Sequence, residues 1–443
     1  MNTIKNKSLY NEAKTLIPGG TQLLSKRPEM FLPDEWINYY ESAKGCEIID
    51  IDGNKFYDMI TMGIGCCILG YADEDVNKAV KNAIDKANMT SLNCPEEVEL
   101  AKLLITIHPW ADMVRFVRSG GEAMSVAVRI ARAASKKDKV LFCGYHGWHD
   151  WYISANLSSD SSLDGHLLPG LEPNGIPRKL TETSIPFNYN NTEEFLSLIR
   201  KYDGEVGVIV LEAIRNDKPE KKFVETIRKI SKEKGIVFIV DEITSGFRLN
   251  VGGAHLLYDI EPDIAVFAKA ISNGYPMGAI IGRKGIMQAA QGSFISSTYW
   301  TERIGSVAAL TTIEKMQELR IPDHLIKTGK LIQDGWNQKA QKHNIKIHIS
   351  GIYPLSHFEF EANNPLLHKT VFTKIMLDYG FLASTVYYAS YAHKENIIFD
   401  YIAAVDIAFE RMSKMSESEM FSFIHGKVCH SGFKRLNLGI VNK

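Results

Sequence analysis

From about residue 71 onward, short uninterrupted apolar runs alternate with longer stretches of helical periodicity. The apolar runs predict strands at 113–117, 140–143, 206–211, 236–240, 264–268 and 279–281. Most of them lack polar alternation, so both faces of each strand are expected to be covered, the pattern of a mostly parallel sheet under helices. The stretch 124–134 puts Val126, Ile130 and Ala133 on one helical stripe. Earlier in the chain, 8–16 reads as a helix stopped by Pro18-Gly19-Gly20, and 47–60 as a hairpin turning on Asp52-Gly53-Asn54. Residues 156–185 are rich in Ser, Gly and Pro and predict a long loop, of the kind that forms lids and binding loops. After about 316 the texture changes again, to helices with strands at 345–349 and 356–361, a smaller α+β block.

Composition narrows the class without changing that picture. The 443 residues are 45% hydrophobic and 23% charged, an ordinary globular balance, with a formal net charge of -1. No global basic field is available for nucleic acid or an anionic membrane, so neither is expected as a partner. The six cysteines form no C-x-x-C pair, and Cys66 and Cys67 are adjacent. That is neither a zinc framework nor a secreted disulfide scaffold. With no apolar core in MNTIKNKSLYNEAKTLIPGG to read as a signal peptide, a cytoplasmic chain is expected.

Four segments carry candidate chemistry, each at the carboxyl end of a predicted strand, where α/β sheets bind ligands. In the first, Lys269 follows the apolar run 264–268 and precedes a turn containing Gly274. A lysine at that depth is partly desolvated, which favours the neutral amine that an imine requires; a snorkelling lysine has the same local pattern. Asp241 ends the second run, with Ile243 on the same side of the chain. A buried carboxylate needs a positive partner, such as a protonated ring nitrogen or a structural salt bridge. In the third, Ser119-Gly120-Gly121 opens a helix, whose free N–H groups and close backbone approach suit a phosphate. The fourth, Gly144-Tyr145-His146-Gly147-Trp148-His149, offers an aromatic ring to stack on a planar ligand. Its H-x-x-H spacing finds no third ligand, and no metal is expected. An imine-forming lysine, a nitrogen-pairing acid, a phosphate cradle and a stacking tyrosine are together what pyridoxal 5'-phosphate requires.

The chain resembles the class III aminotransferases of fold type I, in particular the glutamate-1-semialdehyde aminomutase branch. The resemblance runs from about Tyr10 to about residue 412. It is carried by IPGG (17–20), IIDIDGNKFYD (48–58), SGGEAMSVAVRIARA (119–133), GYHGWHDW (144–151), VIVLEAI (208–214), VDEITSGFR (240–248), PDIAVFAKAISNGYPMGAIIG (262–282) and SSTYWTERIG (296–305). It implies an α/β fold: a large cofactor-binding domain with a mostly parallel central sheet at 71–315 and a small α+β domain at 316–443. Residues 1–70 would pack with the small domain.

Carried over by position, the resemblance makes Lys269 the Schiff-base lysine and Asp241 the partner of the pyridinium. Tyr145 and Ile243 would hold the two faces of the ring, and Ser119, Gly120 and Gly121 the phosphate. Glu212 and Asn216 match a strand end near the cofactor. Thr298 matches a threonine that reaches the phosphate of the neighbouring subunit, which implies a homodimer with shared sites. Gly121 stands where the family usually has threonine. The aminomutase arginine that grips the substrate carboxylate falls at Lys26 or Arg27, and the register does not choose between them. Near the C-terminus the stretch 384–393, STVYYASYAH, lacks the aminomutase glutamate and places Tyr387 and Tyr388 there instead. His146, Tyr387 and Tyr388 join Lys26, Arg27 and Asn216 as candidate substrate contacts. The expected activity is transfer of an amino group from an amino acid donor to a small carbonyl acceptor. The alternatives are a 2,1-aminomutase, a racemase or epimerase of the same fold, and a cofactor-binding protein without turnover; Lys269 and Asp241 together argue against the last. The stretch from about 426 lies beyond the resemblance.

Overall fold

The computed structural model describes residues 2–166, 169–214 and 216–431. The chain divides into two compact units, one formed by residues up to Asp73 together with Asp323–Ser431, the other by Glu74–Pro322. Residues 432–443, the end of the stretch beyond the resemblance, lie outside the described residues.

The Glu74–Pro322 unit is built on a seven-stranded sheet. Its strands are β1 (Met113–Val117), β2 (Lys139–Cys143), β3 (Ser184–Pro186), β4 (Val206–Glu212), β5 (Val237–Asp241), β6 (Ile264–Phe267) and β7 (Gly278–Gly282). They lie in the order β1-β7-β6-β5-β4-β2-β3. β7 runs antiparallel to both of its neighbours; β6, β5, β4, β2 and β3 pair in parallel. Every residue of β4, β5, β6 and β7 is buried, as the unbroken apolar runs require. The helix Gly120–Ser135 covers the sheet through Val126, Ala127, Ile130 and Ala131. β3 is an edge strand of three residues inside the predicted long loop, too short and too proline-bound to announce itself.

Register sets the geometry of the ligand end. Cys143 pairs with Leu211, Glu212 with Asp241, and Asp241 with Val266. The carboxyl ends of four strands therefore stand close to level: Glu212 and Asp241 close β4 and β5, and Tyr145 and Lys269 each follow two residues past the ends of β2 and β6.

In the other unit the predicted hairpin forms, with Ile48 opposite Phe56 and Ile49 opposite Lys55. Its turn is tied by the Asp50 carboxylate, which accepts from the Asp52 and Asn54 backbone N–H groups. These strands and Tyr40–Lys44 extend into a four-stranded sheet with Phe381–Leu382, and a three-stranded sheet joins Ile347–Ser350, Leu355–Phe360 and Val386–Tyr388. Among the described residues no helix is long and apolar enough to cross a membrane.

Candidate active site

Lys269 follows β6 directly and opens a short 3-10 turn. Its backbone φ is +50°, a left-handed conformation that a lysine adopts only at a cost, and such strain gathers at functional positions. The Nζ donates to the Thr244 hydroxyl at 2.8 Å. Thr244 is a residue the sequence reading did not single out, although it lies three positions past Asp241 in the VDEITSGFR segment.

Asp241 is 4% exposed. Its Oδ1 accepts from the Ile243 N–H at 2.9 Å, and its Oδ2 lies 2.8 Å from His146 Nδ1. The shorter of the His146 contacts assigns Nδ1 as a donor; Nε2 lies 3.2 Å from the Cys143 carbonyl. His146 is buried, and its ring is committed to Asp241. That corrects the expectation that it contacts substrate: desolvation leaves a buried carboxylate in need of donors, and His146 supplies one.

The phosphate candidates assemble at the start of the helix Gly120–Ser135. Ser119 occupies the N-cap position with extended backbone and no capping bond from its side chain. Glu122 turns back to accept from the Arg118 N–H at 2.9 Å. Side chains from distant segments close over the two glycines. A Cβ on Gly120 would stand 3.1 Å from Ile243 Cγ2, and one on Gly121 would stand 3.0 Å from His149 Nδ1 and 3.3 Å from Trp148 Nε1. The space beside Gly120 is therefore already held by Ile243 and that beside Gly121 by His149 and Trp148, and the backbone N–H groups at the helix start are candidate anion donors.

Tyr145 is half-buried, with its N–H on Glu212 Oε2 at 3.1 Å and its ring edge-on to Tyr152. Glu212 is itself buried. Tyr145, Glu212 and Asn216 line a cavity of about 280 Å³ together with Cys143, His166 and Tyr189, room for a small molecule. Burial pushes the pKa of His166 down to about 4. Its Nδ1 accepts from the Gly144 N–H, so the ring is a neutral group at the cavity wall.

Thr298 is exposed at the start of a 3-10 turn, Thr298–Thr301. Lys26, Arg27, Tyr387 and Tyr388 belong to the other unit. There Lys26 is exposed, and the Arg27 guanidinium packs over Gly19. Tyr387 is fully buried, with its hydroxyl on His393 Nδ1 at 2.9 Å. It is a core residue, which corrects its assignment as a substrate contact; Tyr388, half-buried, faces the opposite way along the same strand. His146 and His149 turn their rings to different partners, Asp241 and Gly121, so the H-x-x-H pair does not converge.

This arrangement fits pyridoxal phosphate at each of its demands: an amine just past one strand end, a buried carboxylate at the end of the neighbouring strand, a glycine cradle and the side chains of Tyr145 and Ile243. The comparisons agree. The aminotransferase class-III family model matches residues 33–387. A 3-aminobutyryl-CoA aminotransferase of Cloacimonas acidaminovorans (strain Evry) is 30% identical over 378 residues, 84% of this chain and 87% of the relative. A glutamate-1-semialdehyde 2,1-aminomutase of Francisella philomiragia subsp. philomiragia is 32% identical over 368 residues, 80% of this chain and 83% of the relative. Among solved structures, the FumI protein of Sphingopyxis sp. MTA144 superposes with a TM-score of 0.84 at 22% identity, covering 94% of this chain and 99% of that one. An omega-transaminase from Sphaerobacter thermophilus gives 0.82 at 21%, with 94% and 100% covered. At that identity the two structures speak for the fold. The chain belongs to the class-III aminotransferases and is a pyridoxal-phosphate-dependent transaminase.

Proposed function

We propose that this transaminase works on two substrates in turn, taking an amino group from an amino acid donor and giving it to a small carbonyl acceptor. Support for cofactor chemistry comes from the register Glu212–Asp241–Val266, by which the strands that lead to Asp241 and to Lys269 end side by side; the observation that favours two substrates over an aminomutase is the stretch 384–393, which lacks the glutamate element. When bound, pyridoxal phosphate supplies a carbonyl that combines with amines and a protonated ring that accepts the electron pair released at the substrate carbon.

The residues of the chain do the rest. Lys269 holds the cofactor carbonyl and, once displaced, its Nζ takes the proton from the donor α-carbon. Thr244, already hydrogen-bonded to that Nζ, aims it. Asp241 keeps the ring nitrogen protonated, and is itself held by His146 and the Ile243 N–H. Tyr145 and Ile243 fix the ring plane, and Ser119, Gly120 and Gly121 take the phosphate. Glu212 and Asn216 face the space where a substrate would enter beside Tyr145.

The working form is read as a homodimer in which Thr298 completes the neighbouring site. Support comes from the segment around it, where Phe294 is 91% and Tyr299 69% exposed. Apolar side chains presented together on one segment call for a covering surface.

Intramolecular aminomutase chemistry is the second reading, favoured by the aminomutase relatives at 32% identity. It is placed second because Lys26 or Arg27 replaces a defined arginine clamp and because the stretch 384–393 lacks the glutamate element. Supplying glutamate 1-semialdehyde alone to the aminated enzyme separates the two. Two-substrate transamination predicts ping-pong kinetics and no sustained turnover without a donor. Multiple turnovers to 5-aminolevulinate would put the aminomutase first.

A further inference from the structure

His149 lies on the loop that crosses the start of the helix Gly120–Ser135, and Gly147 of the same loop comes within 3.1 Å of Gly121 Cα, measured from its Cβ position. The His149 ring fills the volume that a side chain at 121 would occupy, with Nδ1 and Cε1 both 3.0 Å from that Cβ position. Its Nδ1 is sealed from solvent and has no hydrogen-bond partner among the described residues. Trp148 stacks on the ring at 4.2 Å and 26°, which fixes its orientation. A buried polar nitrogen without a partner is costly unless a ligand completes it. Here the unpartnered atom stands beside the backbone N–H groups read as the phosphate cradle, at the position where the family usually places a threonine side chain.

We propose that His149 replaces that threonine as a phosphate ligand, donating from Nδ1 to the cofactor phosphate, and that Gly121 is glycine because the imidazole needs the space. The proposal rests on the reading of residues 119–121 as the cradle. Burial keeps the ring's pKa below the ordinary histidine value, with Glu122 and Asp150 the nearby carboxylates that oppose the shift; the Nδ1–H donates to a phosphate oxygen in the neutral ring and in the charged ring alike.

The test compares the affinities of apoenzyme for pyridoxal 5'-phosphate and for pyridoxal. Both share the aldehyde and the ring, so their ratio isolates the phosphate contact. His149→Ala is expected to lower that ratio on the order of 10- to 100-fold, the worth of one hydrogen bond to a charged group. His149→Asn, which keeps an N–H near the Nδ1 position, should recover most of it. Gly121→Thr combined with His149→Ala should recover it by restoring a hydroxyl to vacated space. Equal losses for both ligands would mean that His149 only packs, and would overturn the proposal. Gly120→Ala, which presses on Ile243, is the control for the cradle. If it lowers the ratio while His149→Ala does not, His149 alone is misassigned. If neither lowers it, the cradle reading falls and takes this proposal with it.

Discussion

His146 Nδ1 lies 2.8 Å from Asp241 Oδ2, and the pair is buried at the carboxyl edge of the sheet. The other carboxylate oxygen is held by the Ile243 N–H, so both oxygens of Asp241 are held before any ligand arrives, and each keeps a further lone pair. A carboxylate constrained on two sides cannot rotate away from a ring nitrogen placed against it. His146→Ala is expected to lower kcat by about 10- to 100-fold, the loss of one charge-assisted hydrogen bond, while cofactor content stays close to wild type. His146→Asn, which retains an N–H toward Asp241, should restore part of kcat. An equal loss in both variants, with cofactor lost in parallel, would mean that the residue only packs.

Thr298 yields a prediction about assembly. If each site borrows the partner's Thr298, then Lys269→Ala and Thr298→Trp proteins are each inactive for different reasons. Mixed and refolded together, they should form heterodimers containing one site with both native residues, and up to about a quarter of the expected sites should recover. A monomeric mass at working concentration, with no recovery, would contradict shared sites.

Gly329 lies inside the helix Ile321–Lys342, where alanine is ordinarily the better residue by about 1 kcal/mol. Here a Cβ would fall on the carbonyl oxygen of Tyr353, a backbone atom with little freedom to give. Gly329→Ala should therefore destabilise by about 1–3 kcal/mol, the cost of overpacking, read as a lower denaturation midpoint. Gly285→Ala, whose Cβ would meet open space, is the control and should be neutral or stabilising.

Two buried histidines set an acid limit on stability. Burial pushes His108 and His393 down to about 4 from an ordinary value of 6.5. His393 is also locked in its neutral form, since its Nδ1 receives the Ser390 N–H and the Tyr387 hydroxyl and its Nε2 faces the Asp58 carbonyl. The unfolded chain gains these protons near pH 6.5 and the folded chain only near pH 4. Stability from this source is therefore complete above pH 6.5 and declines as pH falls toward 4. Each group contributes a slope of about 1.4 kcal/mol per pH unit within that window. Because His108 and His393 belong to different units, both units should lose thermal stability between pH 6 and 4.5. His393→Gln should flatten the decline for its unit.

The parts of the fold legible in the sequence were those written in contiguous residues. The unbroken apolar runs located the central strands to within a residue or two, and Asp-Gly located the hairpin turn. Strand direction was not legible for β7, because a strand buried on both faces reads the same either way. The candidate site was legible as segments, not as contacts. The His146–Asp241 pair joins residues 95 positions apart, and the meetings of Ile243 with Gly120 and of His149 with Gly121 are equally nonlocal. Tyr387 and Tyr388 show the limit plainly. Adjacent residues of a strand point to opposite faces, so one tyrosine of the pair had to turn inward, and only packing decides which.

The claim on which the account turns is that Lys269 carries the cofactor. Borohydride reduction of the holoenzyme followed by peptide mapping tests it directly. Reduction should leave a stable pyridoxyl label on Lys269 alone, and Lys269→Ala should still bind pyridoxal phosphate noncovalently but not turn over. A label on any other lysine in the wild-type protein, or turnover by Lys269→Ala, would contradict it.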